Sequence, residues 1–253
     1  MPGTTDQQGR GVRDEAFAVS SPHRAYTEIR NKIISGGLPP GTRLRERDFA
    51  EELGVSRIPI REALLHLEAD GFITSQSRRG AIVTELTLRD VQELFDVRLG
   101  VEVHASRLAA QRVADGADPA IVRQAMTRAE RALAAGDTGL IAESNAELHE
   151  TIVALAANSL LTAMMRSVFG RDRWIFRMTS DRDPVVACAE HRELCDAIVA
   201  GDADFTAATA YAHIERGRKP TLETLRAVLP LGAPLGQGDA VPRLARRRAA
   251  AAG

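Results

Sequence analysis

The pattern of apolar and polar positions changes character along the chain. Between residues 22 and 85, apolar positions form short helical patterns broken by turns, SGGLPPG at 35–41, ELGVS at 52–56 and SRRG at 77–80. Two short β-like runs, Gly71–Ser75 and Ala81–Glu85, flank the last of these turns. Helix, helix, helix and small hairpin is the order of a winged helix-turn-helix. From residue 86 strand signals vanish, and apolar residues recur at three and four, as in Val91, Leu94, Phe95, Leu99, then Val101, Ala105 and Leu108. The spacing predicts six helices there, over 87–115, 118–135, 138–157, 159–180, 184–200 and 202–218.

The helix ends are marked by punctuation. Asp118-Pro119 and Asp183-Pro184 each place a capping Asp before a proline at the first helical position. Thr87 and Asp90 form a capping-box pattern. The Ala-Gly-Asp triplets at 135–137 and 200–202 each close one helix on glycine and open the next on aspartate. Pro220 is expected to end or kink the last helix, leaving Thr221–Leu229 as a separate piece. The fold class is therefore mainly α, a winged helix-turn-helix over 21–85 followed by an all-helical antiparallel bundle over 86–230. Residues 1–20 and 231–253 are aperiodic and are expected to be disordered.

Charge sharpens this picture. The 253 residues carry 33 Lys+Arg and 34 Asp+Glu, so no broad positive field exists to hold nucleic acid. Residues 1–85 alone balance at 12 cations and 12 anions, so any affinity for DNA must come from a few placed side chains. Those cations are almost all arginine, Lys32 and Lys219 being the only lysines, and arginine is the better bidentate partner for phosphate, carboxylate and guanine. The longest apolar runs, such as Thr151–Ala157, fall far short of the roughly 20 residues of a membrane span. Cys188 and Cys195 are the only cysteines, no CxxC is present and the first residues lack a signal-peptide core, which together predict a cytoplasmic protein without a membrane partner.

The densest local pattern runs from Arg45 to Leu64. Asp48–Leu53 reads as a short helix with Phe49, Ala50 and Leu53 inward, and Gly54 permits the tight turn that follows. Ser56 is placed to cap the next helix, Pro59 sits in its first turn, and Ile60, Ala63, Leu64 and Leu67 form its core stripe. Arg57 and Arg61 lie on another face near the N-terminus of that helix, where a recognition helix meets base edges and phosphates. The competing reading is two solvated charges paired with Glu62 or Glu68. The Arg78-Arg79-Gly80 tip between the two β-like runs supplies a wing able to approach the backbone, which favours DNA.

At this point the segment LPPGTRLRERDFAEELGVSRIPIREALLHLEADGFI resembles the N-terminal domain of GntR-type bacterial transcription regulators, over about 24–85. The resemblance implies that Arg45, Arg47, Ser56, Arg57 and Arg61, with Arg79 and Gly80 in the wing, contact DNA. It also marks Ile58 as a departure, because family members usually have threonine there.

Three histidines stand out in the bundle. Asn145 and His149 are i, i+4 on the third bundle helix, His191 is early on the fifth and His213 is on the sixth. Three imidazoles and an amide oxygen converging inside a bundle suit a divalent metal, whereas each histidine alone is an ordinary core or surface residue. The patterns Arg98…Glu102…Ala105, Asn145…His149…Asn158, Glu190-His191 and His213-Ile214 resemble the all-helical FadR-type ligand-binding domain (FCD), over about 88–218. The resemblance implies a metal, zinc or nickel first, held by Asn145, His149, His191 and His213, where the family has aspartate in place of Asn145. It also implies a small organic acid as effector. Arg98 is the candidate contact for that carboxylate, with a pair to Glu102 as the alternative.

The expectation is a homodimeric regulator, a repressor by default in this family, reading a palindromic double-stranded operator. Its alternatives are a metal-dependent enzyme fused to a DNA-binding module, or a ligand-independent regulator with a structural metal site. The leading reading assigns no catalytic residue.

Overall fold

The structure is a computed structural model that describes residues 21–76, 80–179 and 183–232. The N-terminal part comprises α1 (Ser21–Ile34), β1 (Arg43–Leu44), α2 (Glu46–Leu53), α3 (Arg57–Ala69), β2 (Ile73–Gln76) and β3 (Gly80–Val83). The strands form one antiparallel sheet in the order β1-β3-β2, with Arg43 opposite Ile82 and Ile73 opposite Val83. This is the expected winged helix-turn-helix. The two-residue β1 was not foreseen, since a run that short carries no readable alternation.

Gly54 closes α2 in the left-handed region at φ 65°, as the tight turn requires. Ser56 has the extended backbone of an N-cap, but its side chain makes no capping bond, contrary to expectation. Its hydroxyl therefore stays exposed at the tip of α3.

Among the described residues the rest is helical, with α4 (Leu88–Ala114), α5 (Ala120–Ala135), α6 (Thr138–Leu155), α7 (Ser159–Met178), α8 (Pro184–Ala200) and α9 (Ala203–Leu225). The punctuation works largely as read. Thr87 and Asp90 make a complete capping box. Gly136 and Gly201 are left-handed, while Asp137 and Asp202 accept the Leu140 and Phe205 N–H groups. Pro184 starts α8 after the cap Asp183. At 118–119 the helix begins one residue later than expected, with Pro119 itself at the cap position and Asp118 accepting the Ala120 N–H at 2.9 Å.

Pro220 does not end the last helix: α9 runs through it to Leu225. Proline inside a helix removes the bond to the carbonyl four residues back, at a cost of about 3 kcal/mol. Packing offsets this, because Thr221 and Leu225 are buried on the same face and Leu225 joins Ile214 in the core.

That core is shared by both parts of the chain. One cluster runs from Ile29, Leu67 and Phe72 through Val91 and Phe95 to Trp174, Ile214 and Leu225. Two further clusters fill the bundle, one around Met126, Leu148 and Ile198, the other around Val153, Met165 and Phe169.

Candidate functional site

α6, α8 and α9 bring His149, His191 and His213 together. All three are buried, and one nitrogen from each lies within 4.8 Å of the others. The ring centroids are 5.3 Å apart for His149–His191, 5.3 Å for His149–His213 and 4.6 Å for His191–His213. Convergence of buried imidazoles from three helices is the donor set of a transition-metal or zinc site. Two of the rings are oriented from behind by carboxylates: Glu102 meets His149 Nδ1 at 2.8 Å, and Glu190 meets His213 Nδ1 at 3.0 Å. A carboxylate on the outer nitrogen fixes the tautomer and turns Nε2 inward, which is how metal-ligating histidines are usually held. Burial pushes the pKa of His213 down to about 4, aided by the nearby His149 and Arg98 and opposed by Glu190. His213 is therefore neutral at pH 7, as ligation requires.

The histidines line a cavity of about 80 Å³, together with Asn145, Arg98, Phe176 and Thr138. That is room for two or three waters at about 30 Å³ each, or for a small acid that displaces them. The structure thus brings Asn145 to the wall beside the three imidazoles.

Arg98 is buried at this wall and heavily engaged. Its Nε donates to Glu102 Oε1 at 2.7 Å and lies 3.3 Å from Asp172 Oδ2, an ion pair without hydrogen-bond geometry. Its Nη2 lies 3.4 Å from His149 Nε2. Phe95 and Phe176 flank the guanidinium at 5.4 Å and 5.2 Å. The pairing with Glu102, weighed from the sequence as the alternative, is therefore present, and Arg98 still borders the cavity. Burial works against the Glu102 charge, but Arg98 and His149 outweigh it and hold the carboxyl well below the usual range. Asp172 goes the other way: burial and the Glu102 charge push it up, only partly offset by Arg98.

No role was foreseen for Asp172, or for Glu190 beyond its place in the Glu190-His191 pattern. Asp172 sits in the run Arg171-Asp-Arg, where neighbouring charges hide an inward residue, although its position seven after Met165 and three after Phe169 does place it on the inner side of α7.

On the other half of the molecule, α3 lies with Arg57 and Arg61 exposed, and Arg45 and Arg47 are exposed at the start of α2. Arg61 forks onto Glu46 of α2, with Nε–Oε1 and Nη2–Oε2 both 2.9 Å. Its partner is thus neither Glu62 nor Glu68. Gly80 opens β3 at φ 76°, whereas Arg79 lies outside the described residues.

α7 joins the two sites. Arg171 Nε donates to the Asp70 carbonyl at 3.0 Å, at the end of α3. Its guanidinium covers Gly71, where a Cβ would stand 1.8 Å from Nη2. A Cβ on Gly170 would stand 2.9 Å from the Phe72 ring, and Phe72 stacks on Trp174 with centroids 5.6 Å apart. The same helix carries Asp172 to Arg98 and Phe176 to the cavity, and Thr179, just beyond its end, also lines it. Of the arginine cluster read from the sequence, Arg171 touches the winged part, Arg173 pairs with Glu143 and Glu150, and Arg177 is exposed.

Comparison with known proteins follows the same division. Residues 23–83 match the family model for bacterial regulatory proteins of the gntR family, and residues 93–216 match that of the FCD domain. An uncharacterized HTH-type transcriptional regulator of Bacillus subtilis is 32% identical over 180 residues, covering 68% of this chain and 78% of that protein. A probable D-xylose utilization operon transcriptional repressor of Paenarthrobacter nicotinovorans is 30% identical over 72% of this chain and 80% of its own. Among solved structures, a GntR-type regulator from Rhodococcus sp. RHA1 superposes with a TM-score of 0.66 at 27% identity, covering 81% of this chain and 99% of that one. The protein is therefore a DNA-binding transcriptional regulator of the GntR family, in the branch whose C-terminal half is an FCD domain.

Proposed function

We propose that this regulator changes its operator affinity when a small organic acid enters the bundle beside a divalent metal held by His149, His191 and His213. The observation that carries the reading is the buried three-histidine cluster opening on a cavity that Arg98 also borders. Zinc and nickel are the first candidates, with Asn145 offering an amide oxygen as a fourth donor. The metal, when bound, supplies a Lewis-acidic anchor for a carboxylate. Charge supports an anionic effector. Glu102 already balances Arg98, and Asp172 is pushed toward its neutral form, so a divalent ion adds positive charge that the neutral Asn145 does not answer.

Residues 21–85 would read DNA through Arg45, Arg47, Ser56, Arg57, Arg61, Arg79 and Gly80, and residues 86–230 would sense the effector. Two copies would read a palindrome, because a two-fold dimer maps onto two half-sites. α7 is the connecting part in this reading, since its C-terminal half touches both the end of α3, through Arg171, and the cavity, through Phe176. The default sign is repression relieved by ligand, in the cytoplasm. The reading includes no chemical step: the carboxylates nearest the cluster hold His149, His213 and Arg98 in place rather than face a substrate.

The test is a thermal-shift screen of small carboxylates with zinc or nickel present, with and without chelator. Wild type should show an acid-dependent rise in melting temperature that chelation removes and that His149→Ala and His213→Ala lack. If no acid shifts wild type under any condition, the metal-effector reading fails.

A further inference from the structure

We propose that Ile58 is a base-reading residue, packing its side chain on the C5-methyl group of a thymine in the major groove. The inference deepens the DNA-reading assignment of α3 and rests on it. Ile58 is the second residue of α3 and is 68% exposed. Ile60, Ala63, Leu64 and Leu67 form the buried stripe of that helix. At 3.6 residues per turn, Ile58 projects from the opposite side, on the ridge it shares with Glu62 and Leu65. Leu65 is also exposed, but it borders the cleft toward Gly80 and Ala81, so its surroundings include the wing. Ile58 instead stands at the N-terminal tip, next to the face that carries exposed Arg57 and exposed Arg61. The first turn of a recognition helix is the part that meets base edges.

The chemistry narrows what Ile58 can read. An aliphatic side chain offers no hydrogen bond to a phosphate or a base edge. The feature of the major groove that rewards it is the thymine methyl, which apolar side chains contact directly. A β-branched side chain in a helix keeps largely one χ1 rotamer, so its position is set before DNA arrives. Pro59 adds stiffness at the next position by fixing φ. The arginines on the adjoining face would supply the polar contacts, leaving Ile58 to discriminate by shape.

The experiment uses the full-length protein and duplexes selected by it from a random-sequence pool. Each thymine of the selected operator is replaced in turn by deoxyuridine, which differs only in lacking the methyl group. Affinities are measured at fixed salt for wild type and Ile58→Ala, with melting curves confirming that the variant is folded. Burying one methyl is worth about fourfold in affinity. The expected result is one thymine position per half-site where uracil weakens wild type about fourfold and weakens Ile58→Ala less than twofold. Uniform insensitivity to uracil, or the same sensitivity in Ile58→Ala, overturns the proposal and leaves Ile58 an ordinary exposed aliphatic. Failure to enrich any sequence overturns the underlying DNA-reading assignment instead.

Discussion

Arg61 carries a charge with two uses. Without DNA its guanidinium forks onto Glu46, and both partners are partly exposed, so the pair itself adds little stability. A half-exposed fork of this kind holds one edge of the guanidinium and leaves the other for DNA. Arg57→Ala and Arg61→Ala should each weaken operator binding roughly 5- to 150-fold, the range of one lost bidentate base contact, with melting temperature nearly unchanged. A mobility-shift series checks this, and unchanged binding in both variants removes α3 as the reader.

At the same scale, His213 sets a pH limit on the metal-free protein. Its pKa is lowered to about 4 in the fold, against about 6.5 in an unfolded chain. A base with a lowered folded pKa costs stability in acid, because the unfolded chain takes up a proton that the native state refuses. The contribution is complete above pH 6.5 and is lost as pH falls toward 4. Asp172, raised to about 8, has the opposite sign, and its contribution is lost as pH rises through that value. Between about pH 4 and 6.5 the two contributions oppose each other, and above 6.5 only the Asp172 loss continues, so metal-free melting temperature should fall between about pH 6.5 and 8, and His213→Gln should start that fall nearer pH 4. A fall confined to about pH 6.5–8 in His213→Gln, as in wild type, would contradict the assignment.

The histidines were readable in the sequence because they are rare and fall among apolar neighbours on helices with clear ends. The carboxylates that orient them were not. Acids are common on helices, and whether Glu102 or Glu190 turns toward a histidine depends on crossing angles that one sequence does not display.

Among elements, α7 matters most for coupling. Its Gly170 is the seat for Phe72, and its Trp174 fills the seam between the winged part and the bundle. Gly170→Val would push a branched side chain into the Phe72 ring. We expect it to loosen the seam, lower the melting temperature and reduce the effector's influence on DNA affinity, while metal binding persists. Trp174→Ala should cost about 3–5 kcal/mol, the range for emptying a buried aromatic site. Parallel measurements of metal uptake and DNA binding on Gly170→Val separate the two halves of the expectation. Loss of metal uptake as well would mean that the bundle itself had been disrupted. Helix boundaries were legible wherever capping chemistry is local, as at Thr87, Asp137 and Asp202. Where tertiary packing outweighed a local rule, as at Pro220, the local reading failed. The two-residue β1 left no periodic signal, and its pairing with β3 is a long-range event.

For the whole molecule, the even charge balance keeps its meaning. With 12 cations and 12 anions over residues 1–85, DNA binding depends on a few arginines rather than a broad field. Each phosphate contact adds about 0.9 to the slope of log affinity against log salt, so the slope should be modest and should shrink by about one unit for each phosphate-contacting arginine removed. The central claim is that the bundle and the DNA reader are thermodynamically linked through a metal-bound acid. It is tested most directly by measuring operator affinity of the full-length protein with metal present, with and without the acid that shifts its melting curve, in wild type and in His149→Ala. The account predicts a change of roughly 5- to 150-fold in wild type, the usual range of allosteric coupling, and none in the variant. Equal affinities with and without the acid in wild type would contradict it.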